Sequence, residues 1–178
     1  MAGPAREVSQ PAFGGNFFVD PCNGCNYDSD AGGFDVRGPR NCTAPGSTNW
    51  MAVPFIAQRT GVPRRISAAI LLHNPDNCPY NKVTLSIYTD NNCEGLPGTP
   101  LVSVEATVPL APCDLAVAKL PPSILLEEGK KYWVTATTSE AQAKLEARWW
   151  ASNNAQLAAN LGIGWFQFSS GTPAFLVE

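Results

Sequence analysis

The chain has 178 residues, 44% of them apolar and only 15% charged, with a net charge of −3. It is long enough to bury a real core within one domain. There is no block of Lys and Arg, which argues against a nucleic-acid partner and against attraction to an anionic membrane surface. No run approaches the ~18 apolar residues of a membrane-spanning helix, so membrane insertion is not expected.

Gly and Pro are abundant, 15 and 16 residues, and are spread along the whole chain. Turn formers placed this way favour many short strands over long helices. Met1 to Gln10 carries no apolar stretch of the signal-peptide kind. With the secreted character argued below, the expectation is that Met1 stands where a signal sequence was removed. Residues 1–49 are rich in Gly, Pro, Asn and Asp and hold half of the six cysteines. They read as an irregular arm with one short strand near Asn16–Val19, stapled by disulfides to a domain spanning 50–178. In the arm, Asp28, Asp30 and Asp35 lie beside glycines and could wrap a calcium ion with oxygen ligands. An EF-hand is excluded, because no Glu follows at the required position, and ordinary Asx-turns explain the same residues. No other cofactor is expected. Asn41-Cys42-Thr43 matches the N-glycosylation sequon, which would place Asn41 at the surface in a host that uses it.

From Trp50 onward strand signals recur steadily. The candidates are Ala52–Ala57, Arg65–Leu72, Lys82–Thr89, Pro100–Val108, Leu115–Leu120, Lys131–Thr138, Leu145–Ser152, Gly164–Ser169 and Ala174–Val177. Val83–Thr89 and Tyr132–Thr137 alternate with period two, so one face of each is buried and the other wet. Only Ser139–Ala147 and Ala155–Leu161 read as short helical turns. The chain stops abruptly after the apolar run Ala174–Val177, which reads as a last strand at a domain edge. The predicted fold class is all-β, a two-sheet antiparallel sandwich of jelly-roll type with about eight or nine strands.

The cysteines are Cys22, Cys25, Cys42, Cys78, Cys93 and Cys113. An even number in a turn-rich chain points to structural disulfides and an oxidising compartment. Zinc is disfavoured, since Cys22-x-x-Cys25 has no second CxxC and His73 is the only histidine. A redox CxxC would need a βαβ setting, which is absent. If Lys82–Tyr88 and Leu101–Val108 run antiparallel, Cys78 and Cys113 share one end of the pair. Cys93 then lies at the other end, ~20 Å or more away, beyond the ~7 Å reach of a disulfide. Cys78–Cys113 is therefore the favoured bridge, with Cys93 paired to one cysteine of the arm.

The ordered set Val83-Thr84-Leu85-Ser86-Ile87-Tyr88-Thr89-Asp90, Gly95-Leu96-Pro97-Gly98-Thr99-Pro100-Leu101, Leu126-x-x-Gly129-x-x-Tyr132-Trp133, Trp149, Trp165 and Pro173-Ala174-Phe175-Leu176-Val177 resembles the choice-of-anchor domains of bacterial surface proteins, type R in particular. The resemblance covers roughly Trp50–Glu178. It implies a secreted β-sandwich carried on different surface anchors, often without assigned activity. Against that pattern, no C-terminal anchor is expected here and the arm is unusually cysteine-rich.

No catalytic centre is expected. His73 is the only base for a Ser-His-Asp or Cys-His arrangement, and no GxSxG occurs. Among the acidic residues Glu105 and Glu146 sit on predicted strands, but nothing in the sequence makes them converge on a glycosidic bond. The aromatics are more suggestive. Trp149 and Trp150 are adjacent on one strand and must face opposite ways. Trp165 likewise opposes Phe166 and Phe168. An outward Trp offers a flat apolar platform for a sugar ring, unless the arm or a partner subunit covers it. Strand alternation makes Trp149, Trp150, Trp165 and Tyr88 the candidate ligand-binding residues. The expected function is a secreted or cell-surface module that binds extracellular polysaccharide or another surface component. The alternative is a structural subunit of a filament or surface layer, self-associating through its arm.

Overall fold

The structure, a computed structural model, describes residues 12–17, 25, 32–73, 79–162 and 164–178, with only the backbone of 153–157 and 168–172. It is an antiparallel β-sandwich. The strands are β1 (Gly14–Gly15), β2 (Gly33–Arg37), β3 (Trp50–Ile56), β4 (Arg65–Ala68), β5 (Ile70–Leu72), β6 (Lys82–Asn91), β7 (Leu96–Thr107), β8 (Ala116–Lys119), β9 (Lys131–Thr137), β10 (Glu146–Asn160), β11 (Trp165–Pro173) and β12 (Phe175–Val177).

The back layer runs in the order β11-β10-β3-β9-β6-β7. The front layer is built from two short sheets set end to end. One is β1-β12-β4-β8. The other places the first half of β10 between β2 and β5. Because β4 and β5 are one nearly continuous strand, β12 and the start of β10 lie in line along the same edge of it. β12 covers Ile66–Ala68 and β10 covers Ile70–Leu72. They meet at Ala69. There Ala69 N–H donates to Ala174 O, Trp150 N–H donates to Ala69 O, and Ala174 N–H donates to Trp150 O. Past this point β10 crosses to the back layer, pairs with β3 and β11, and the chain returns as β12. The N–H and C=O groups of Ala69, Trp150 and Ala174 are all paired at the crossing, because each strand end hands its partner to the next.

Alternation fills the space between the layers. Val83, Leu85 and Ile87 of β6 face Tyr132, Val134 and Ala136 of β9 and Met51, Val53 and Phe55 of β3 in one core. Ile66, Ile70, Trp149, Phe175 and Val177 close it from the front. Trp149 is wholly buried, and its Nε1–H donates to Ala174 O at 2.8 Å, so the indole's one polar atom is satisfied inside the core.

Several sequence expectations change. The arm is not wholly irregular: β1 pairs with β12 and β2 with β10. A strand lies at Gly14–Gly15; of the predicted strand Asn16–Val19, Asn16 and Phe17 are not in a strand, and Phe18 and Val19 lie outside the described residues. Asn16 is instead a latch, its side chain bonding Pro173 O and Phe175 N. Ser139–Ala147 gives one 3-10 turn, Glu140–Gln142, before β10 begins. Ala155–Leu161 is not helical but runs within β10 as far as Asn160, since β11 and β3 flank that stretch and supply its backbone partners.

The disulfide pattern also differs. Cys113 bonds Cys25, with Cα atoms 4.8 Å apart, rather than Cys78. The loop after β7 leaves the back layer to enter β8 in the front layer, which carries Cys113 away from the start of β6. Cys113 there adopts a left-handed φ of 71°. Cys42 is also disulfide-bonded; Cys22 and Cys78 lie outside the described residues. Cys93 is exposed and free, not joined to the arm, because it sits at the tip of the β6–β7 hairpin. The observed bridge staples the arm over a small apolar cluster of Ala69, Leu71 and Ala174, with Phe17, Leu115 and Trp150 packed against it.

Candidate functional site

The outer face of the back layer is not an open sheet. Register shifts at Ile87/Tyr88 and Tyr88/Asp90 bend the far end of the β6–β7 hairpin out of the layer. Its turn reaches β11, where Gln167 Nε2 donates to Gly95 O and Glu94 O. β11 and β6 are at opposite ends of the run β11-β10-β3-β9-β6, roughly 19 Å apart at normal strand spacing. The hairpin end is therefore a roof laid across the face. Gly95 fits because it has a positive φ of 62° and because a Cβ there would meet the Gln167 amide at 2.6 Å.

Beneath this roof Trp133, Ala52 and Ala158 are fully buried, and Tyr88, Leu96 and Trp165 pack around them partly exposed. Trp133 stands on the outward register of β9, opposite Pro54 of β3 and Tyr88 of β6. Its Nε1–H donates to Asp90 Oδ1 at 2.6 Å. The same oxygen lies 3.1 Å from Lys131 Nζ, and that ammonium sits 4.8 Å from the Trp133 ring centre. Asp90, Lys131 and Trp133 thus form a closed triangle of hydrogen bond, ion pair and cation–π contact. With its carboxylate only 10% exposed, Asp90 is held as a fixed acceptor at the edge of an aromatic patch. Burial pushes the Tyr88 phenol above its ordinary pKa, so Tyr88 presents a neutral O–H here. The neighbouring Thr135 hydroxyl is buried without a hydrogen-bond partner.

The four aromatics expected to bind ligand do not gather in one place. Tyr88 and Trp165 meet in this cluster. Trp149 is corrected from candidate ligand contact to core residue. Trp150 faces the other way on β10, as alternation requires, and lies in the cluster stapled by Cys25–Cys113 on the front layer, with the Arg148 guanidinium 5.8 Å from its ring. Trp133, Asp90, Lys131 and Gln167 were missed. The alternation of β9 did carry a signal: Trp133 shares its parity with Thr135 and Thr137, the wet side of the strand. The roof over that side is invisible locally, because it depends on a contact between β11 and a turn far away in sequence.

Asp35 is no open metal ligand. Arg37 and Arg148 both bond its carboxylate. Asp28 and Asp30 lie outside the described residues, and among the described residues no group of three or more His, Cys, Asp or Glu is placed to hold a metal. Asn41 is not at the surface as the sequon reading required, but 1% exposed. Its Nδ2 donates to Gly38 O, Ala44 O and Ser47 O, and its Oδ1 accepts from Ala44 N–H, so the amide is the hub of its own loop. Glu105 and Glu146 sit on the outer faces of opposite layers. Glu105 is half exposed on β7, and Glu146 is buried beneath Thr43, whose hydroxyl donates to it at 2.5 Å. His73 is exposed at the end of β5.

Among the described residues no helix is long and apolar enough to cross a membrane. The bonded Cys25–Cys113 pair points to an oxidising environment. Searches against protein-family models and curated proteins find no match to this chain.

Proposed function

We propose that this chain is a secreted or cell-surface, non-catalytic β-sandwich module that binds polysaccharide or another extracellular surface component. Its platform is the roofed aromatic face of the back layer. The observation that carries this reading is the convergence of Tyr88 and Trp165 around the buried Trp133, with Asp90 and Lys131 fixed beside them. A sugar ring has an apolar C–H face and a polar rim. Partly exposed rings suit the first, and a pre-oriented carboxylate, ammonium and phenol suit the second. The disulfide supports the extracellular placement, and so would the resemblance of the ordered motifs to choice-of-anchor domains. The placement of Glu105 and Glu146 on opposite layers supports a non-catalytic role.

The alternative of a structural subunit assembled through the arm has less support. The described arm strands, β1 and β2, are already paired within the chain. The test is binding of the oxidised protein to a panel of soluble and insoluble polysaccharides, with Trp165→Ala and Tyr88→Ala beside Trp150→Ala. Saturable binding should weaken about tenfold in each of the first two, the loss of one ring contact, and persist in the third. Binding abolished only by Trp150→Ala would move the platform to the front layer. No binding on the whole panel would favour the structural subunit.

A further inference from the structure

β7 ends the back layer, and one side of it has no neighbour in the sheet. Val108 N–H donates to Asn81 O at 2.8 Å at the end of the β6–β7 ladder, which fixes the direction of the peptide groups along it. Counting back by twos, Ala106, Val104 and Val102 turn their backbone groups to β6. Thr107, Glu105 and Ser103 turn theirs away, and among the described residues these form no backbone hydrogen bond on that side. All three are exposed. Edge strands ordinarily carry a guard against pairing, such as a proline, a bulge or a lysine. On β7 the guards Pro97, Pro100 and the register shifts lie in the half that forms the roof. β8, the edge of the front layer, ends in the exposed Lys119. Residues 103–107 hold neither proline, bulge nor lysine. Their one charge, Glu105, accepts from the Gln142 amide at 3.1 Å and lies 3.8 Å from Lys82 Nζ.

An added strand satisfies such an edge, and this stretch is complementary to itself. Two copies of β7 laid antiparallel about a twofold axis at Val104 set Ser103 opposite Glu105 of the partner subunit on both sides of the axis. Ser103 and Glu105 are residues whose backbone groups point outward, so each pair exchanges both of its hydrogen bonds. The faces also match. Ser103 and Glu105 meet on the outer face, Val102 lies opposite Ala106 of the partner subunit on the core side, and the half-buried Val104 is covered by its own counterpart. The Ser86 hydroxyl donates to Ser103 Oγ at 2.8 Å, which leaves the Ser103 proton to donate to the facing carboxylate. An axis at Glu105 would set two carboxylates directly opposite, an unfavourable pair. An axis at Ser103 would set Glu105 against Leu101, where the register shift already breaks the strand.

We propose that the chain pairs with a second copy of itself through residues 103–107 of β7, joining two back layers into one continuous sheet. An edge pairing of this size is at the weak end of specific interfaces, so it is followed by sedimentation velocity from about 10 µM to about 1 mM. The oxidised protein carries Cys93→Ser, which removes dimers linked through the exposed thiol. The mass should rise towards that of a dimer with concentration, and amide signals of 103–107 should shift with it. Ser103→Lys and Ser103→Glu lose the same bond to Ser86 but set opposite charges against Glu105 of the partner subunit. Lys should lower the dimer Kd and Glu should raise it, each by about three- to tenfold, since the twofold axis repeats the pair. Thr107→Lys makes the same change of net charge opposite Leu101 of the partner subunit and should leave the Kd within about twofold. The proposal is overturned if the protein stays monomeric at about 1 mM, if the two Ser103 variants move the Kd the same way, if Thr107→Lys acts as strongly as Ser103→Lys, or if the concentration-dependent shifts lie away from β7.

Discussion

Replacing Trp133 with Phe tests whether the Asp90–Lys131–Trp133 triangle holds the roof on the candidate site. The substitution keeps an aromatic ring beneath Lys131 but deletes the Nε1–H that donates to Asp90 at 2.6 Å. Hydrogen bonds to charged groups contribute about 1.5–3 kcal/mol. Trp133 is wholly buried, so the lost part of the indole leaves a void worth about 1 kcal/mol more. The expected loss is therefore about 2.5–4 kcal/mol of stability. In urea, with a slope of roughly 2 kcal/mol/M, the midpoint should fall by about 1–2 M without a change of slope. A double-mutant cycle with Asp90→Ala should return a coupling of at least about 1 kcal/mol, since the two groups touch directly. A loss below about 0.5 kcal/mol, the range of an ordinary surface substitution, would refute the reasoning. The indole would then not be what holds Asp90.

Removing the bridge with Cys25→Ser and Cys113→Ser opens a closed loop of 88 residues. Chain entropy sets the cost at up to about 4–5 kcal/mol, while Cys93→Ser at the exposed hairpin tip should stay within about 0.5 kcal/mol; urea midpoints and native-state alkylation of Cys93 check both. The Tyr88 phenol, raised above 10.0 by burial, holds its proton more tightly folded than unfolded. Its contribution to stability is present below that pH and is lost as the pH climbs beyond it, and Tyr88→Phe should flatten that decline in urea midpoints measured on either side of 10.0.

The β-sandwich was legible where a strand has one wet and one buried face. Val83, Leu85 and Ile87 alternate with Thr84, Ser86 and Tyr88, and the register of β6 against β9 follows that parity. The opposed directions of Trp149 and Trp150 followed from geometry alone. Which of the two is covered did not, because Trp149 is buried by the facing layer and Trp150 lies with the stapled arm. The break at Ala69 was hidden in the continuous apolar run Ala68–Leu72. It arises because β12 and β10 share one edge of that strand, and no local pattern reports a change of partner. β2 escaped notice because Gly33, Asp35 and Arg37 lack the β-branched and aromatic residues that mark strands. Gly33 is there for a reason the sequence cannot state: a Cβ would meet the Arg148 side chain at 2.7 Å. The sequon at Asn41 shows the converse, a motif that fits while the fold spends the same amide on its own loop.

The most direct test of the roofed face as the binding surface is to follow the indole N–H signals of the chain's five tryptophans by NMR while the best-binding polysaccharide from the panel is titrated in. The account predicts that Trp165 shifts progressively to saturation and that Trp133, whose N–H reports on the Asp90 bond beside the site, follows it, while core Trp149 stays in place. Saturation that moves Trp150 and leaves Trp165 and Trp133 still would contradict it and place the ligand on the front layer.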